Sequence, residues 1–300
     1  MKTLLIDSNN LLWRSSGKPP LTHDGIRTEA VYIGINMLRT YLQRFEPDSC
    51  IMVWDGGRDK RRTEKFPDYK RKKKEPTPVE KQERKILFSQ ADLLKLGFEL
   101  LGLTQCQCKG FEADDIIYNF VKKSDPTSEA IVVSTDEDMF QLFTIKKNLI
   151  VYSPTKDKVM TKSDVEEKFG FPIEYFATYK ALAGDSSDNI PGVNGIGPVK
   201  AKKLIEVFQK DDDDISSDGL HILSQFHSQY SEYESMLDLI KFKNIEDHEL
   251  VNGYWEKIPD TNDQLNDAAY AFIDSLGFKK HLNNFVEFMV PFNKYWWRVK

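Results

Sequence analysis

The sequence predicts an α/β fold: a mostly parallel central sheet flanked by helices, followed by a mostly helical second half. Three observations predict it. Four short apolar runs rich in branched residues, TLLI (3–6), CIMVW (50–54), AIVVS (130–134) and LIVYS (149–153), have strand length and are too short for helices. Helical periodicities separate them: Val31, Ile35, Leu38, Leu42 and Phe45 recur at steps of four and three, as do Leu87, Ala91, Leu94, Phe98 and Leu101. Beyond about residue 155 the strand signal fades, and TKSDVEEKF, IEYFATYKALA, VKAKKLIEVF and SEYESMLDLIKF read as helices. Strands alternating with helices imply βαβ units and a parallel sheet, whose ligand sites lie at the carboxyl ends of the strands.

The 300 residues suffice for one large domain or two linked ones, and 40% hydrophobic content supports an ordinary core. Cys50, Cys106 and Cys108 are too few and odd in number for a disulfide framework, and the CxC pair reads as core thiols in a reducing setting. Asp7 interrupts the apolar start of the chain, so no signal peptide is expected there, and no apolar run approaches the ~20 residues of a membrane span. A cytoplasmic, monomeric protein without membrane contact is expected. DDDDISSDG (211–219) reads as a solvated loop.

The formal charge of −5 and pI of about 5.7 argue against nucleic acid until the distribution is examined. RDKRRTEKFPDYKRKKK (58–74) carries ten basic and three acidic residues, +7 within a protein of −5. EPTP (75–78) then breaks the chain before the next helix. Arg61, Arg62, Lys65, Lys70, Arg71, Lys72 and Lys73 are candidate phosphate contacts, and the interleaved Phe66 and Tyr69 could stack on bases.

The acids cluster too. Asp7 closes the first predicted strand, Asp55 the second, and Asp136 and Asp138 the third. FEADD (111–115) brings Glu112, Asp114 and Asp115 to the start of a helix, and GDSSDN supplies Asp185 and Asp188 between two others. A single Asp after a strand is ordinarily a helix cap or turn former. Three strand ends that all carry Asp predict a shared pocket instead. Nine carboxylates converging there stay ionised only if cations fill it. With no His or Cys in these stretches, the donor set suits hard ions, two or more Mg²⁺ or Mn²⁺. Without these nine acids the formal charge of −5 becomes +4, so an acidic metal pocket would sit beside a basic arm. That pairing suits hydrolysis of a phosphodiester, where two ions stabilise the attacking and leaving oxygens.

GVNGIGPVKAKKLIEVF (192–208) is neither a dinucleotide fingerprint nor a P-loop: its order is G-x-x-G-x-G, no strand precedes it, and no GK[ST] follows. It reads as a glycine hairpin between helices. Gly192, Gly195 and Gly197 would expose backbone N–H groups beside Lys200, Lys202 and Lys203, gripping a DNA backbone without reading bases.

Taken together, LIDSNN, VWDGG, FPDYK, FEADD, STDEDMFQL and GDSSDNIPGVNGIGPVKA resemble, in content and order, the 5′-nuclease (flap endonuclease) superfamily. The likeness is strongest to phage 5′-exonucleases of the RNase H type and to the 5′-nuclease domain of bacterial DNA polymerase I. It spans at least residues 3–208, and DAAYAFIDSLGFKKHLNNF (267–285) also resembles the end of that domain.

The resemblance implies a PIN-like, Rossmann-like sheet in a nuclease part over 1–155, with residues 58–100 as a helical arch. A helical part over 156–300 would carry the helix-hairpin-helix at about 185–208. It assigns metal binding to Asp7, Asp55, Glu112, Asp114, Asp115, Asp136, Asp138, Asp185 and Asp188, and phosphate contact at the scissile bond to Lys70. A K⁺ ion can bridge the hairpin to a phosphate. The implied activity is 5′-to-3′ exonuclease and 5′-flap endonuclease, on DNA and on RNA in RNA–DNA hybrids. Water attack leaves 5′-phosphates, during primer removal in replication. Partners would be nicked or flapped DNA, with a polymerase or single-strand-binding protein nearby. One departure is Lys73, where phage-type members carry an arginine; lysine keeps the charge but not the bidentate geometry. No polymerase-like stretch follows, so a free-standing, phage-like nuclease is expected, in the host cytoplasm if phage-encoded. The rivals are a non-catalytic DNA-structure-binding protein and a PIN-like ribonuclease.

Overall fold

The computed structural model describes residues 1–16, 19–71, 75–211, 214–255 and 262–296. All four predicted strands form: β1 (Lys2–Asp7), β4 (Ser49–Val53), β6 (Glu129–Val133) and β7 (Leu149–Ser153). Between β1 and β4 lie helix α1 (Ser8–Ser15), a small hairpin of β2 (Thr22–His23) and β3 (Ile26–Arg27), and helix α2 (Glu29–Phe45). Three further strands join the sheet: β5 (Thr104–Cys106), β8 (Lys158–Met160) and β9 (Tyr254–Trp255). The order is β8-β7-β6-β1-β4-β5-β9, parallel throughout except for the antiparallel strands β8 and β9 at the edges.

Side chains leave the sheet by the period-two rule of a strand. Leu4, Ile6, Cys50, Met52, Ile131 and Val133 enter one hydrophobic cluster, while Leu5, Ile51, Val53, Ala130 and Val132 enter another. The first cluster is covered by α2 and by α4 (Pro78–Leu100); the five predicted core positions of α2, the four of α4 and Leu101 at its C-cap are all buried. Helix α4 begins nine residues before its first predicted core position, because Thr77 and Glu80 form a reciprocal capping box and Pro78 occupies the first turn. The second cluster is covered by α5 (Ala113–Lys123), the 3₁₀ turn Glu137–Thr144 and α6 (Lys162–Phe169).

The chain past 155 takes two routes. Helices α7 (Phe176–Ala183), α8 (Pro198–Phe208), α9 (Ser217–Ser228) and α10 (Tyr230–Ile240) enclose a third cluster, into which Tyr69 inserts from the basic run. Helix α11 (Asp247–Asn252) and β9 then return to the sheet. Helices α12 (Asn262–Ser275), α13 (Lys279–Asn283) and α14 (Phe285–Trp296) send Phe272, Ile273, Phe288 and Phe292 into the first cluster. The expected loop 211–219 ends early, since Ser216 caps α9 through Gly219 N–H; Asp212 and Asp213 lie outside the described residues. Cys50, Cys106 and Cys108 are buried free thiols. No helix among the described residues is long and apolar enough to cross a membrane.

The glycines of the hairpin differ in what they are for. Gly192 adopts φ 77°, and a Cβ there would lie 2.5 Å from Gly184 N and 2.6 Å from Leu182 O, so the loop can close on the end of α7 only with glycine. Gly197 has an ordinary φ of −84°, and a Cβ would meet nothing within 4 Å. Gly192→Ala should therefore lower unfolding free energy by more than about 1 kcal/mol, whereas Gly197→Ala should change it by less than about 0.5 kcal/mol. Urea midpoints at constant m-value check the contrast.

Candidate active site

The strand-end acids gather at the carboxyl edge of the sheet, each oriented by a local bond. Asp7 ends β1 and caps α1: one carboxylate oxygen accepts from Asn10 N–H at 2.9 Å and the other from the Ser134 hydroxyl at 2.9 Å. Asp136 caps the turn after β6, accepting from Asp138 N–H at 2.8 Å. Asp55 accepts from Ala113 N–H at 2.8 Å, the first helical residue of α5, while its own N–H donates to the Asn9 side chain at 3.0 Å. The capping role expected of any single aspartate is thus real, and its effect is to fix where each carboxylate points.

FEADD resolves into three different environments. Glu112 stands at the N-cap of α5 in extended conformation, so the helix begins after it. One of its oxygens accepts from the Tyr69 hydroxyl at 2.8 Å, the Lys70 ammonium at 2.9 Å and Arg62 Nη1 at 3.3 Å. The Asp114 charge acts on Asp7, Asp55, Asp136, Asp188 and Lys70, which marks it as the centre of the group. Asp115 turns inward and is fully buried. Arg62 Nη1 donates to its Oδ2 at 2.7 Å, Arg62 Nη2 to its Oδ1 at 2.9 Å, and Lys243 N–H also to Oδ1 at 2.6 Å. With both oxygens occupied by protein donors, Asp115 does not match the metal-ligand role expected of it.

Downstream, Asp138, Asp185 and Asp188 can each place an oxygen within 4.8 Å of the others, the one such group among the described residues. Lys180 was missed from sequence, where it reads as one more polar position of α7. Its ammonium pairs with Asp138 and lies 2.5 Å from Asp185. A cavity of about 540 Å³ opens here, lined by Asn10, Asp136, Phe176, Lys180 and Asp185.

Burial and mutual repulsion dominate the electrostatics. Asp7 is pushed from 3.8 to about 7, chiefly by burial, with Asp55 and Asp114 adding to it. Asp138 also rises to about 7 by burial, against the pull of Lys180. Asp55 and Asp188 rise to about 6, again mainly by burial. Asp185 falls below its ordinary value, because Lys180 outweighs its burial. Burial opposes the Lys70 charge, yet Asp114 and Glu112 hold it well above the ordinary lysine value.

Among the described residues of the basic run, Arg58, Lys60, Arg61, Lys65 and Arg71 are exposed, but not every side chain faces solvent. Arg62 is 2% exposed and Tyr69 2% exposed, so the DNA contacts expected of them are corrected: each packs inward, against Asp115 and Glu112. Arg61 pairs with Asp59 at 3.0 Å and lies over the Phe111 ring, Lys65 pairs with Asp238, and Arg71 pairs with Asp68 at 3.1 Å. Lys72 and Lys73 lie outside the described residues. Lys70 has φ 51°, with its N–H donating to Asp188 O at 2.9 Å. Asn189, also at positive φ, donates from its side chain to Asp68 O at 2.9 Å, so the DYK turn is docked on GDSSDN. At the hairpin, Lys200 donates to Gly195 O at 2.9 Å and Lys203 pairs with Asp218 at 3.0 Å, both exposed pairs. Lys202 is half-buried on α8.

The family described as "5′-3′ exonuclease, N-terminal resolvase-like domain" matches residues 2–170, and "5′-3′ exonuclease, C-terminal SAM fold" matches 171–240. The chain belongs to the 5′-3′ exonuclease family. It is 32% identical over 213 residues to a 5′-3′ exonuclease of Aquifex aeolicus, covering 69% of this chain and 70% of that one. It is 33% identical over 216 residues to a 5′-3′ exonuclease of Bacillus subtilis, covering 69% and 71%. To DNA polymerase I of Caldicellulosiruptor bescii it is 34% identical over 218 residues, covering 69% of this chain and 24% of the polymerase.

Solved structures share the fold. The 5′-exonuclease of phage T5 with bound zinc superposes with a TM-score of 0.64 at 22% identity, covering 96% of this chain and 100% of that one. Flap endonuclease-1 of Methanococcus jannaschii gives 0.58 at 18%, covering 98% and 91%. The catalytic core of Rad2 in complex with a DNA substrate gives 0.55 at 14%, covering 97% and 91%.

This exonuclease-family chain is an enzyme of the metal-dependent nuclease class, and its pocket fits a divalent cation. The donors are carboxylate oxygens alone, several are pushed up by burial with repulsion from their neighbours adding to it, and three are already within 4.8 Å of one another.

Burial of these acids sets a pH dependence. Asp7, Asp55, Asp138 and Asp188 have folded values above the ordinary 3.8, so the folded state holds protons that the unfolded chain releases. Their contribution is complete below about 4 and is lost as pH rises through about 7. The thermal midpoint of metal-free protein should fall across that window, and saturating Mg²⁺ should flatten or reverse the fall. A midpoint that rises through the window without metal would contradict the buried acid ensemble.

Proposed function

We propose that the chain is a 5′-to-3′ exonuclease and 5′-flap endonuclease that hydrolyses phosphodiesters in DNA, and in the RNA of RNA–DNA hybrids, leaving 5′-phosphates. Its task would be primer and flap removal during replication, in the cytoplasm, beside a polymerase or single-strand-binding protein. The observation that carries this reading is the arrangement at the sheet edge. Asp7, Asp55 and Asp136 from three adjacent parallel strands meet Glu112 and Asp114 of α5, with the Lys70 ammonium 2.9 Å from Glu112 and 3.7 Å from Asp188.

Asp7, Asp55, Glu112, Asp114, Asp136 and Asp138 would hold the ions, Mg²⁺ or Mn²⁺, with Asp185 and Asp188 supporting a second one. When bound, such ions supply Lewis-acid stabilisation at a phosphodiester. The protein's own contribution is positional. The caps on Asp7 and Asp136 fix their carboxylates, and Asn9 and Ala113 fix Asp55. Lys70 supplies a cation to the phosphate as negative charge grows there, its ammonium half-buried beside Glu112.

DNA is the proposed substrate because the Rad2 core of the same fold was solved with a DNA substrate and because the hairpin offers open backbone at Gly197 beside Lys200 and Lys202. The hairpin would take the duplex backbone away from the cleavage point. A K⁺ ion there would share the Gly195 carbonyl with Lys200.

Asp136→Asn should lower cleavage of a 5′-flap substrate by at least about 100-fold, and Lys70→Met by a similar factor, with flap binding in EDTA little changed. End-labelled flap, nicked and hybrid substrates, titrated with Mg²⁺, provide the measurement. Wild-type rates for Asp136→Asn at saturating Mg²⁺ would sink the assignment. A bound but uncut flap with wild-type protein would favour a structure-binding protein, and preference for single-stranded RNA a PIN-like ribonuclease.

A further inference from the structure

Arg62 sits in the middle of the most basic stretch of the chain and yet is buried. Its guanidinium is engaged on every nitrogen. Beyond the two bonds to Asp115 and the one to Glu112, Nε donates to Leu239 O at 3.2 Å and Nη2 to Lys241 O at 3.1 Å. Asp59, the N-cap of α3 (Lys60–Lys65), lies 3.7 Å from Nη1. A guanidinium is a rigid planar fork of five N–H donors, so this one side chain fixes the relative placement of everything it touches.

Three segments meet on it. One is α3, its own helix, which leads into the DYK turn. The second is the first turn of α5, through Asp115 and Glu112. The third is the C-terminal end of α10, whose carbonyls lack intrahelical partners and favour a cation. Helix α10 packs in the same cluster as α7, which carries Lys180 and runs into Asp185. The Glu112 oxygen that Arg62 touches is the oxygen that holds Tyr69 and Lys70. Displacing Arg62 would therefore move Glu112 and the Lys70 ammonium together. It would also leave Asp115 a buried anion with one backbone N–H donor, next to Asp114.

We infer that Arg62 is a positioning residue for the acid site: through Asp115 and Glu112 it sets the first turn of α5 and Lys70, and through Leu239 and Lys241 it joins that turn to the helical part. The inference rests on the nuclease reading for its kinetic consequences only. It differs from a DNA-contacting arginine, which would act through substrate affinity, and from an inert buried ion pair, which would act through stability alone.

The full-length chain with Arg62→Gln, Arg62→Lys, Asp115→Asn and the Arg62→Gln/Asp115→Asn double substitution tests it. Arg62→Gln should lower kcat on a 5′-flap by about 100-fold with KM within about threefold. Arg62→Lys, which keeps charge but not the fork, should fold and still lose about tenfold in kcat. The double variant should recover at least about tenfold over Arg62→Gln, since no unpaired buried carboxylate remains. Mn²⁺ affinity by calorimetry should weaken in Arg62→Gln and recover in the double variant, a readout independent of cleavage.

A loss confined to flap affinity and untouched by Asp115→Asn would overturn the inference in favour of DNA contact. Lowered thermal midpoints with kcat and Mn²⁺ affinity unchanged would overturn it in favour of a purely structural pair. Wild-type protein that binds Mn²⁺ but cuts no flap would defeat the nuclease reading instead, leaving the Mn²⁺ comparison to decide on Arg62.

Discussion

Carboxylates crowded into a buried pocket repel one another and lose their hydration, and the rest of this structure is organised around offsetting those two penalties. Among the described residues, three cations lie against these acids, each spent differently. Arg62 is consumed by Asp115, which it removes from the pocket electrically. Lys180 is divided between Asp138 and Asp185. Lys70 is held by Glu112, with Asp188 close by. Among the described residues, Asp7, Asp55, Asp114 and Asp136 have no lysine or arginine pairing of this kind, and Asp7 and Asp55 are pushed up, chiefly by burial. The excess charge that remains defines the demand for divalent ions more sharply than the number of acids does.

The parallel sheet makes the crowding possible. Adjacent parallel strands end on one side, so a single aspartate at each end reaches a common volume without any loop having to fold back. Each carboxylate is then aimed by bonds that arise from helix starts: Asp7 from α1, Asp136 from the 3₁₀ turn, Asp55 from α5. Capping and site-building are the same interaction here. The N–H groups that need an acceptor at a helix start also favour the charged form of the acid, which partly counters the burial.

The features legible in the sequence were those with a local signature. Strand length, helical period, aspartates at strand ends and the glycine hairpin all follow from spacing within a few residues, and each corresponds to an element of the fold. The features that escaped depend on partners far along the chain. Nothing in RDKRRTEKF distinguishes Arg62 from its neighbours, because its acceptors are Asp115, Leu239 and Lys241, at least 50 positions away. Tyr69 read as a base-stacking aromatic for the same reason; its hydroxyl finds Glu112 and its ring fills the third cluster. Strand β5, with three residues, is too short to show a period, and β9 joins the sheet from the other half of the chain. For FEADD, the spacing places three acids at a helix start without fixing its first residue; the helix starts after Glu112, and that one-residue boundary decides which acid faces the pocket.

The same logic accounts for the backbone at Lys70. A non-glycine residue at φ 51° carries a conformational cost of about 1 kcal/mol or more, which glycine would avoid. Glycine has no ammonium to place against Glu112. The lysine keeps its strained conformation because it is held at both ends: its N–H by the Asp188 carbonyl, its ammonium by Glu112, with Tyr69 buried before it. Backbone strain, the docking of DYK on GDSSDN and the cation beside the acids are one arrangement. It brings the start of the basic run and the downstream acids to the same few ångströms, and neither segment could be placed there without the other.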